Sequence, residues 1–473
     1  MKRSGARFVI IGGGPTGLGA AWRLNELGQE DWLLIERHDK AGGLAGSVVD
    51  DQGFTWDLGG HVLFSHYTYF DEALDSCLAD DWIHHQREAW VYMRDRFIPY
   101  PLQNNLWRLP EDDLIVCLEG LLELHNRPQL PLADETLADW TLRNFGKGLS
   151  EIFFVPYNKK VWAYAPEKMT ATWIQDRVAM VDLQKIVRNI VYRKDDIGWG
   201  PNSTFRFPLR GGTGAIWERM RARLPQERLQ LRAEVVAIKT DSKEITLSDG
   251  SCVSYEYLIN TTPLDKFITM LEGMDISNKN DASKFLHSST NLVGIGVEGT
   301  PPDELKTKSW IYFVEDQMPF YRCTVFSNYS PFNVAEPNKQ WSLLCEVSES
   351  QDRPVNREGL VESTIDALTQ IGLLRRDTNI VDRWQRHLEY GYPTPFIGRD
   401  ELLNRIETKL KAKQIFSRGR FGAWKYEVSN QDHSFMQGVE AVSHIINGAP
   451  ETTYHQPTVV NTFKPQSEKL SRK

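Results

Sequence analysis

The sequence predicts an α/β protein: a discontinuous Rossmann-type dinucleotide-binding domain with a mostly helical insertion and an antiparallel-sheet substrate domain. Three observations lead there. Phe8–Gly17 reads FVIIGGGPTG, an apolar, β-branched run that enters a glycine turn and then a helix, as a buried parallel strand of such a domain does. Strand and glycine patterns of the same kind return at 203–265 and again at 414–450, after long interruptions. Between 286 and 350 the apolar runs are short and alternating, the pattern of an antiparallel sheet.

Taken in order, Gly12, Gly14 and Gly17 stand in G-x-G-x-x-G spacing. The first permits a tight turn, the second lets backbone approach a pyrophosphate, and the third lets the helix pack closely on the strand. The helix predicted from Leu18 to Leu27 ends at Gly28, a suitable C′ residue. A second strand, Trp32–Ile35, delivers Glu36 nineteen residues beyond Gly17. A carboxylate there accepts from a ribose 2′-hydroxyl and repels a 2′-phosphate. A second glycine turn at Ala41–Gly46 brings the backbone of Gly43 and Leu44 toward the same ligand. Gly59 and Gly60 then let backbone lie flat against a ring system, with His61 beside it.

Residues 66–202 are predicted mostly helical, with periodicity over 112–125, 136–145, 148–154 and 171–192. Two aromatic, proline-containing loops interrupt them, 97–105 and 155–162, and loops on a helical frame commonly carry binding residues. The stretch NSTFRFPLRGGTG (202–214) leads back to the dinucleotide domain, assembled from 1–65, 203–265 and 414–450, through strands at 229–232, 235–240, 244–247 and 257–260. Residues 266–413 form the substrate domain, with strands at 290–297, 310–313, 321–327 and 341–347 and a helix over 355–369. A strand at 415–417, an RGRFG turn and a helix from about 434 to 447 complete the dinucleotide domain, with that helix's N-terminus open to an anion. A loose polar tail is expected over 451–473.

Composition narrows the class. The 473 residues are 41% apolar and 25% charged, a soluble, multidomain balance. A net charge of -8 argues against general affinity for nucleic acid or an anionic membrane. The five cysteines, at 77, 117, 252, 323 and 345, are scattered and form no C-x-x-C, so neither a disulfide frame nor a metal site is expected. With a strand under way by Phe8 there is no room for a signal peptide, and no apolar run approaches the roughly 20 residues of a membrane span. A cytoplasmic protein is the expectation.

Eight longer motifs carry a resemblance. GGHVLFSHYTYFD (59–71), PYPLQNN (99–105), PYNKKVW (156–162), FRFPLRGGTG (205–214), PFYR (319–322), FSNYSP (326–331), GYPTP (391–395) and RGRFGAWKYEVSNQDHSFM (418–436) resemble, in order and over nearly the whole chain, the eukaryotic-type UDP-galactopyranose mutases. These lie within the FAD-binding amine oxidase and protoporphyrinogen oxidase-like fold group. The resemblance implies an isomerase that interconverts UDP-galactopyranose and UDP-galactofuranose without net redox change. In that family N5 of reduced FAD attacks the anomeric carbon and displaces UDP; the ring opens through an iminium and recloses. NADPH is the reductant by analogy.

The resemblance also assigns residues. Arg177 and Arg322 are the diphosphate arginines, with hydroxyl donors from Tyr312, Tyr329, Tyr392 and Tyr426, a combination suited to a leaving group that gains negative charge. Tyr100, Gln103 and Phe153 surround the uracil; Asn158, Trp162, Asn202 and Trp310 line the sugar; His61 lies beside the flavin N5. Phe64 and His66 follow in a redox-responsive loop. The implied cofactor contacts are Gly12, Gly14, Gly17, Glu36, Gly43, Leu44, Gly60, Arg420, Asn430 and Gln431, the last three from the resemblance only. One position departs from the pattern: His66 and Arg87 are present, but Ala89 stands where the family has a serine. A mutase for another nucleotide sugar and an FAD-dependent oxidoreductase of the amine oxidase type remain alternatives. The oligomeric state is left open by the sequence.

Overall fold

The computed structural model describes residues 5–126, 130, 132, 134–174, 177–200, 203–275 and 279–462. Its organising element is the strand Gly5–Ile11, which lies parallel between Trp32–Ile35 and Cys252–Asn260, with Ile10 opposite both Leu34 and Ile259. Alternation along this strand feeds two cores. Phe8 and Ile10 face helices Pro15–Glu26 and Gln431–Asn447 on one side of the sheet. Val9 and Ile11 face helices Leu264–Met270 and Arg399–Ala412 on the other. Burial on both faces explains the unbroken apolar run. The eight-stranded sheet is completed by Leu271–Glu272, Val235–Lys239, Glu244–Leu247 and Leu229–Gln230, with Ile415–Ser417 pairing parallel to Cys252–Asn260.

A second, seven-stranded sheet runs in the order Ile380–Pro393, His287–Glu298, Gln340–Glu349, Arg322–Val325, Trp310–Phe313, Ala89–Met93 and Arg96–Pro99. Helix Leu360–Gln370 packs on one face, over Val293, Ile295, Leu343 and Cys345. The other face carries Leu292, Leu344, Trp310, Phe326 and Tyr329, and packs on Phe54 and Trp56 of the hairpin Ser47–Val49/Thr55–Asp57. Trp56 is stacked against Phe54, Phe326 and Trp384 at 5.7–6.2 Å between ring centres. Among the described residues no helix is long and apolar enough to cross a membrane.

Several expectations require correction. Residues 66–202, expected mostly helical, carry strands as well as helices. Trp82–Gln86 pairs with Thr204–Pro208, and Ala89–Met93 and Arg96–Pro99 form a hairpin that extends the second sheet, the former parallel to Trp310–Phe313. The hairpin turn, Arg94-Asp95, holds both residues at positive φ, 52° and 54°, the geometry usually announced by Asn-Gly. The stretch read as the loop 155–162 is a helix, Val155–Trp162, that continues a π-turn over Ser150–Phe154. Pro156 sits in its first turn, where it costs no hydrogen bond. The helix expected over 171–192 shrinks to Leu183–Tyr192, begun by Asp182, whose side chain accepts from Lys185 N. The helix Arg399–Ala412 was not foreseen.

The tail is not loose over its described part. Helices Thr452–His455 and Pro457–Asn461 bury Tyr454 and Val460, and Glu451 pairs with the buried Arg418. Residues 463–473 of the predicted tail lie outside the described residues.

Candidate active site

The parts meet around one cleft of about 1310 Å³ that runs from the glycine turn to the inner face of the second sheet. At the turn, Gly12 has φ +104° and donates its N–H to Ile35 O at 2.8 Å. A Cβ on Gly17 would stand 1.9 Å from Gly12 O, so the helix seats against the turn only because that side chain is missing. Glu36, 7% exposed, lies under the turn and accepts from Gly13 N at 2.6 Å and His38 N at 2.8 Å. Each carboxylate oxygen keeps acceptor capacity for a hydroxyl. The second glycine turn docks on the first, Gly42 N donating to Gly13 O at 2.9 Å. Gly14, Gly43 and Leu44 line the cleft, as do Asn430 and Gln431 at the start of the 17-residue helix Gln431–Asn447. That N-terminus presents amides and a positive dipole end to the cleft.

These residues fit FAD. Side-chain-free backbone from two turns, an acid at the ribose position and a helix N-terminus form a pyrophosphate cradle. Ala233, Val235 and Met270 line the cleft near Glu36, an apolar slot suited to an adenine. At the other end Gly59, Gly60 and His61 line the wall. Burial, opposed by Glu346 and helped by Arg420 and Arg322, holds His61 down at about 4, so it is a neutral imidazole near neutral pH. Arg420 donates to Gly391 O at 2.8 Å and to Ser429 Oγ at 2.9 Å, with its guanidinium 5.0 Å from the Tyr392 ring.

Beyond this end stand the two arginines. Arg322 donates from Nε and one terminal nitrogen to Glu346 at 2.6 and 2.8 Å. Arg177 donates to Glu427 O at 2.5 Å and lies 5.8 Å from the Tyr426 ring centre. Tyr312, Tyr392 and Tyr426 line the same wall; burial pushes the Tyr312 and Tyr392 phenols up, keeping them protonated donors. Trp162 packs edge-on against Tyr392 and Tyr426 at 5.6 and 4.8 Å, and Asn158 lies a turn earlier on its helix. Both line the cleft. At its far end Phe153 and Tyr157 stack at 5.5 Å, 11° from parallel, near Tyr100 and Gln103. Gln103 Nε2 donates to Ala179 O at 2.7 Å, while its Oε1 has no partner among the described residues.

Some expected residues stand elsewhere. Trp310 and Tyr329 do not line the cleft. Trp310, 3% exposed, stands on the same face of its strand as Tyr312, two residues on, and Tyr329, 1% exposed, caps the turn Phe326–Asn328; both pack on Phe205 in the core on that face of the second sheet. Gly17 serves helix packing and not the cleft wall. Asn202 lies outside the described residues. Phe64, His66 and Arg87 line the cleft. His66 is held by Asp432, whose Oδ2 takes His66 N at 3.0 Å and stands 2.7 Å from His66 Nδ1. Arg87 donates to Trp199 O. Sequence reasoning did not single out Asp432, Tyr157, Tyr321 or Glu346. For Glu346 a signal existed: the one carboxylate in the buried stretch 341–348 of the strand Gln340–Glu349, where burial demands a partner.

The chain belongs to the flavin containing amine oxidoreductase family, whose model matches residues 15–446. Two plant relatives are similar over part of that length: protoporphyrinogen oxidase 1, chloroplastic, of Spinacia oleracea, 24% identical over 203 residues, and protoporphyrinogen oxidase, chloroplastic, of Oryza sativa subsp. japonica, 28% over 176. These matches take in 40% and 36% of this chain and 36% and 32% of those proteins, about a third of their length. A putative protoporphyrinogen oxidase from Exiguobacterium sp. 255-15 shares the fold, with a TM-score of 0.70 at 16% identity over 94% of this chain and 99% of that one. A reduced UDP-galactopyranose mutase matches far more closely, with a TM-score of 0.93 and 51% identity over 97% of this chain and 99% of that one. Within the family the chain is therefore a member of the UDP-galactopyranose mutases.

Proposed function

We propose that the protein interconverts UDP-galactopyranose and UDP-galactofuranose on reduced FAD, with NADPH as reductant. The observation that carries this is the wall holding Arg177, Arg322 and the hydroxyls of Tyr312, Tyr392 and Tyr426 beside the Gly60–His61 end of a dinucleotide cleft. Cations and phenol hydroxyls suit a diphosphate; an amine substrate would be repelled. Reduced FAD, when bound, supplies a nucleophilic ring nitrogen to the anomeric carbon, so that the bond to UDP can break and re-form without net electron transfer.

The chain's residues do the rest. Arg177 and Arg322 hold the departing diphosphate as its charge grows, and the phenols donate to its oxygens. Phe153 and Tyr157 offer flat faces to the uracil, and the free Gln103 Oε1 reads its N–H edge. Asn158 and Trp162 orient the sugar. Residues buried around the cleft keep water from the detached sugar. Asn202, beyond the described residues, is retained as a sugar contact on resemblance. The test is anaerobic incubation of the reduced protein with UDP-galactofuranose, with UDP-galactopyranose as the expected product. Absence of product at any enzyme level, or oxygen consumption stoichiometric with an added amine, would overturn the reading.

A further inference from the structure

We propose that Glu346 is a positioning residue that ties the diphosphate wall to the turn beside the flavin, neutralising Arg322 so that, of the two diphosphate arginines, Arg177 carries the free positive charge. The proposal rests on the mutase reading and adds a division of labour to it. Glu346 is 2% exposed and directly opposite Arg322 in the antiparallel pair of strands. Its carboxylate takes four donors: Arg322 at 2.6 and 2.8 Å, Tyr321 OH at 2.8 Å and Gly60 N at 3.1 Å. That uses the whole acceptor capacity of a carboxylate.

Three parts of the site hang on this group. The Arg322 guanidinium is fixed as a fork and keeps three N–H donors for an incoming phosphate. Gly60 is pressed onto it: a Cβ there would meet Thr324 Oγ1 at 2.7 Å and Glu346 Oε1 at 2.8 Å. Tyr321 OH, whose one proton goes to the carboxylate, stands 3.3 Å from Tyr392 OH with only acceptor capacity left toward it. One carboxylate therefore sets the place of a diphosphate arginine, a substrate-side phenol and the backbone next to the flavin ring.

The charge count separates the arginines. Arg322 and Glu346 sum to zero. Arg177 donates to a backbone carbonyl, that of Glu427, and the Glu427 carboxylate is itself engaged by Arg399 at 2.7 and 2.9 Å. Among the described residues no carboxylate pairs with Arg177.

The test is Glu346→Gln in the FAD-loaded protein, which keeps size and removes charge. UDP is titrated against the flavin absorbance, and turnover of UDP-galactofuranose is measured on the reduced protein. The freed Arg322 charge should tighten UDP binding about tenfold, while turnover falls about a hundredfold as the turn and the arginine lose their common support. Weaker UDP binding, or turnover within threefold of the unaltered protein, overturns the proposal. Tyr321→Phe provides a second arm that leaves the ion pair intact. It should lower turnover about tenfold at unchanged UDP affinity, and unchanged turnover would again refute the coupling. If the unaltered protein shows no mutase turnover, the functional reading fails, whereas normal turnover with a silent Glu346→Gln sinks only this proposal.

Discussion

Replacing Arg322 by methionine keeps a long stem and deletes the charge. Glu346 would then be a buried carboxylate with Tyr321 OH and Gly60 N as its remaining donors. Breaking a buried pair from one side costs about 3–5 kcal/mol. With an unfolding entropy of roughly 2.1 cal/mol/K per residue, a 473-residue chain unfolding as one unit loses about 1 kcal/mol per kelvin. The melting temperature of Arg322→Met should fall by about 4 °C. Adding Glu346→Gln removes the orphaned charge, so the double variant should recover most of that loss. Neither should recover turnover, because the developing diphosphate charge has lost a donor worth about 3 kcal/mol, roughly a hundredfold.

The pH dependence gives an independent sign. In the unaltered protein Arg322 and the other donors hold Glu346 below its usual value against burial, so its contribution is present above about pH 4.5 and is lost as pH falls. In Arg322→Met burial dominates and the group rises, so its penalty should shrink as pH falls toward about 5. Scanning calorimetry of the three proteins at about pH 8 and about pH 5 tests this. An Arg322→Met deficit that stays constant or widens on acidification, or a double variant no more stable than the single, would refute the account of Glu346 as a charge held in place by Arg322.

Other outcomes are expected. Gly14→Val should release flavin, read as loss of the yellow colour on gel filtration, since the side chain intrudes where two bare turns face a pyrophosphate. Burial lifts Asp57 from 3.8 to about 7 despite bonds from Ser47 and Thr213. An acid raised in the folded state gains protons on folding, so stability should increase as pH falls from about 8 to about 6, by about 1.4 kcal/mol from this group. Asp57→Asn should flatten that part of the pH–stability profile. Gln103→Leu should weaken UDP binding by about tenfold, the worth of one recognition hydrogen bond, while leaving flavin content unchanged; equal affinity would remove Gln103 from the uracil site.

The legible parts of the sequence were those whose chemistry demands a residue type at a fixed spacing. A pyrophosphate needs bare backbone and a helix seated on the turn needs a missing side chain, so Gly12, Gly14 and Gly17 were readable, and Glu36 followed from the length of one helix and one strand. What sequence hid was set by tertiary partners. Arg94-Asp95 turns a hairpin without glycine or asparagine because the neighbouring strand Trp310–Phe313 holds it in the sheet. Tyr157 lay in a stretch read as a loop because Pro156 looks like a breaker, although a proline in a first helical turn breaks nothing. Trp310 and Tyr329 were carried onto the substrate wall by resemblance, yet both are packed into the aromatic core beside Tyr312, with Phe205 and Phe326. Ala89 suggested a weakened loop, and the Asp432 carboxylate that holds His66 comes from a helix more than 360 residues away in sequence.

The first strand's partners on the cofactor side include the last long helix, Gln431–Asn447, and Glu451 anchors the Arg418 that precedes Arg420. During synthesis, Ile11 emerges some 420 residues before Gln431. At about 5–20 residues per second the nascent glycine turn waits roughly 20–80 s for the helix that closes its cradle. Completion of the cradle is thereby a late event in synthesis, and a chain interrupted before its final turns would present an open apolar cleft to chaperones and proteases instead of a closed site.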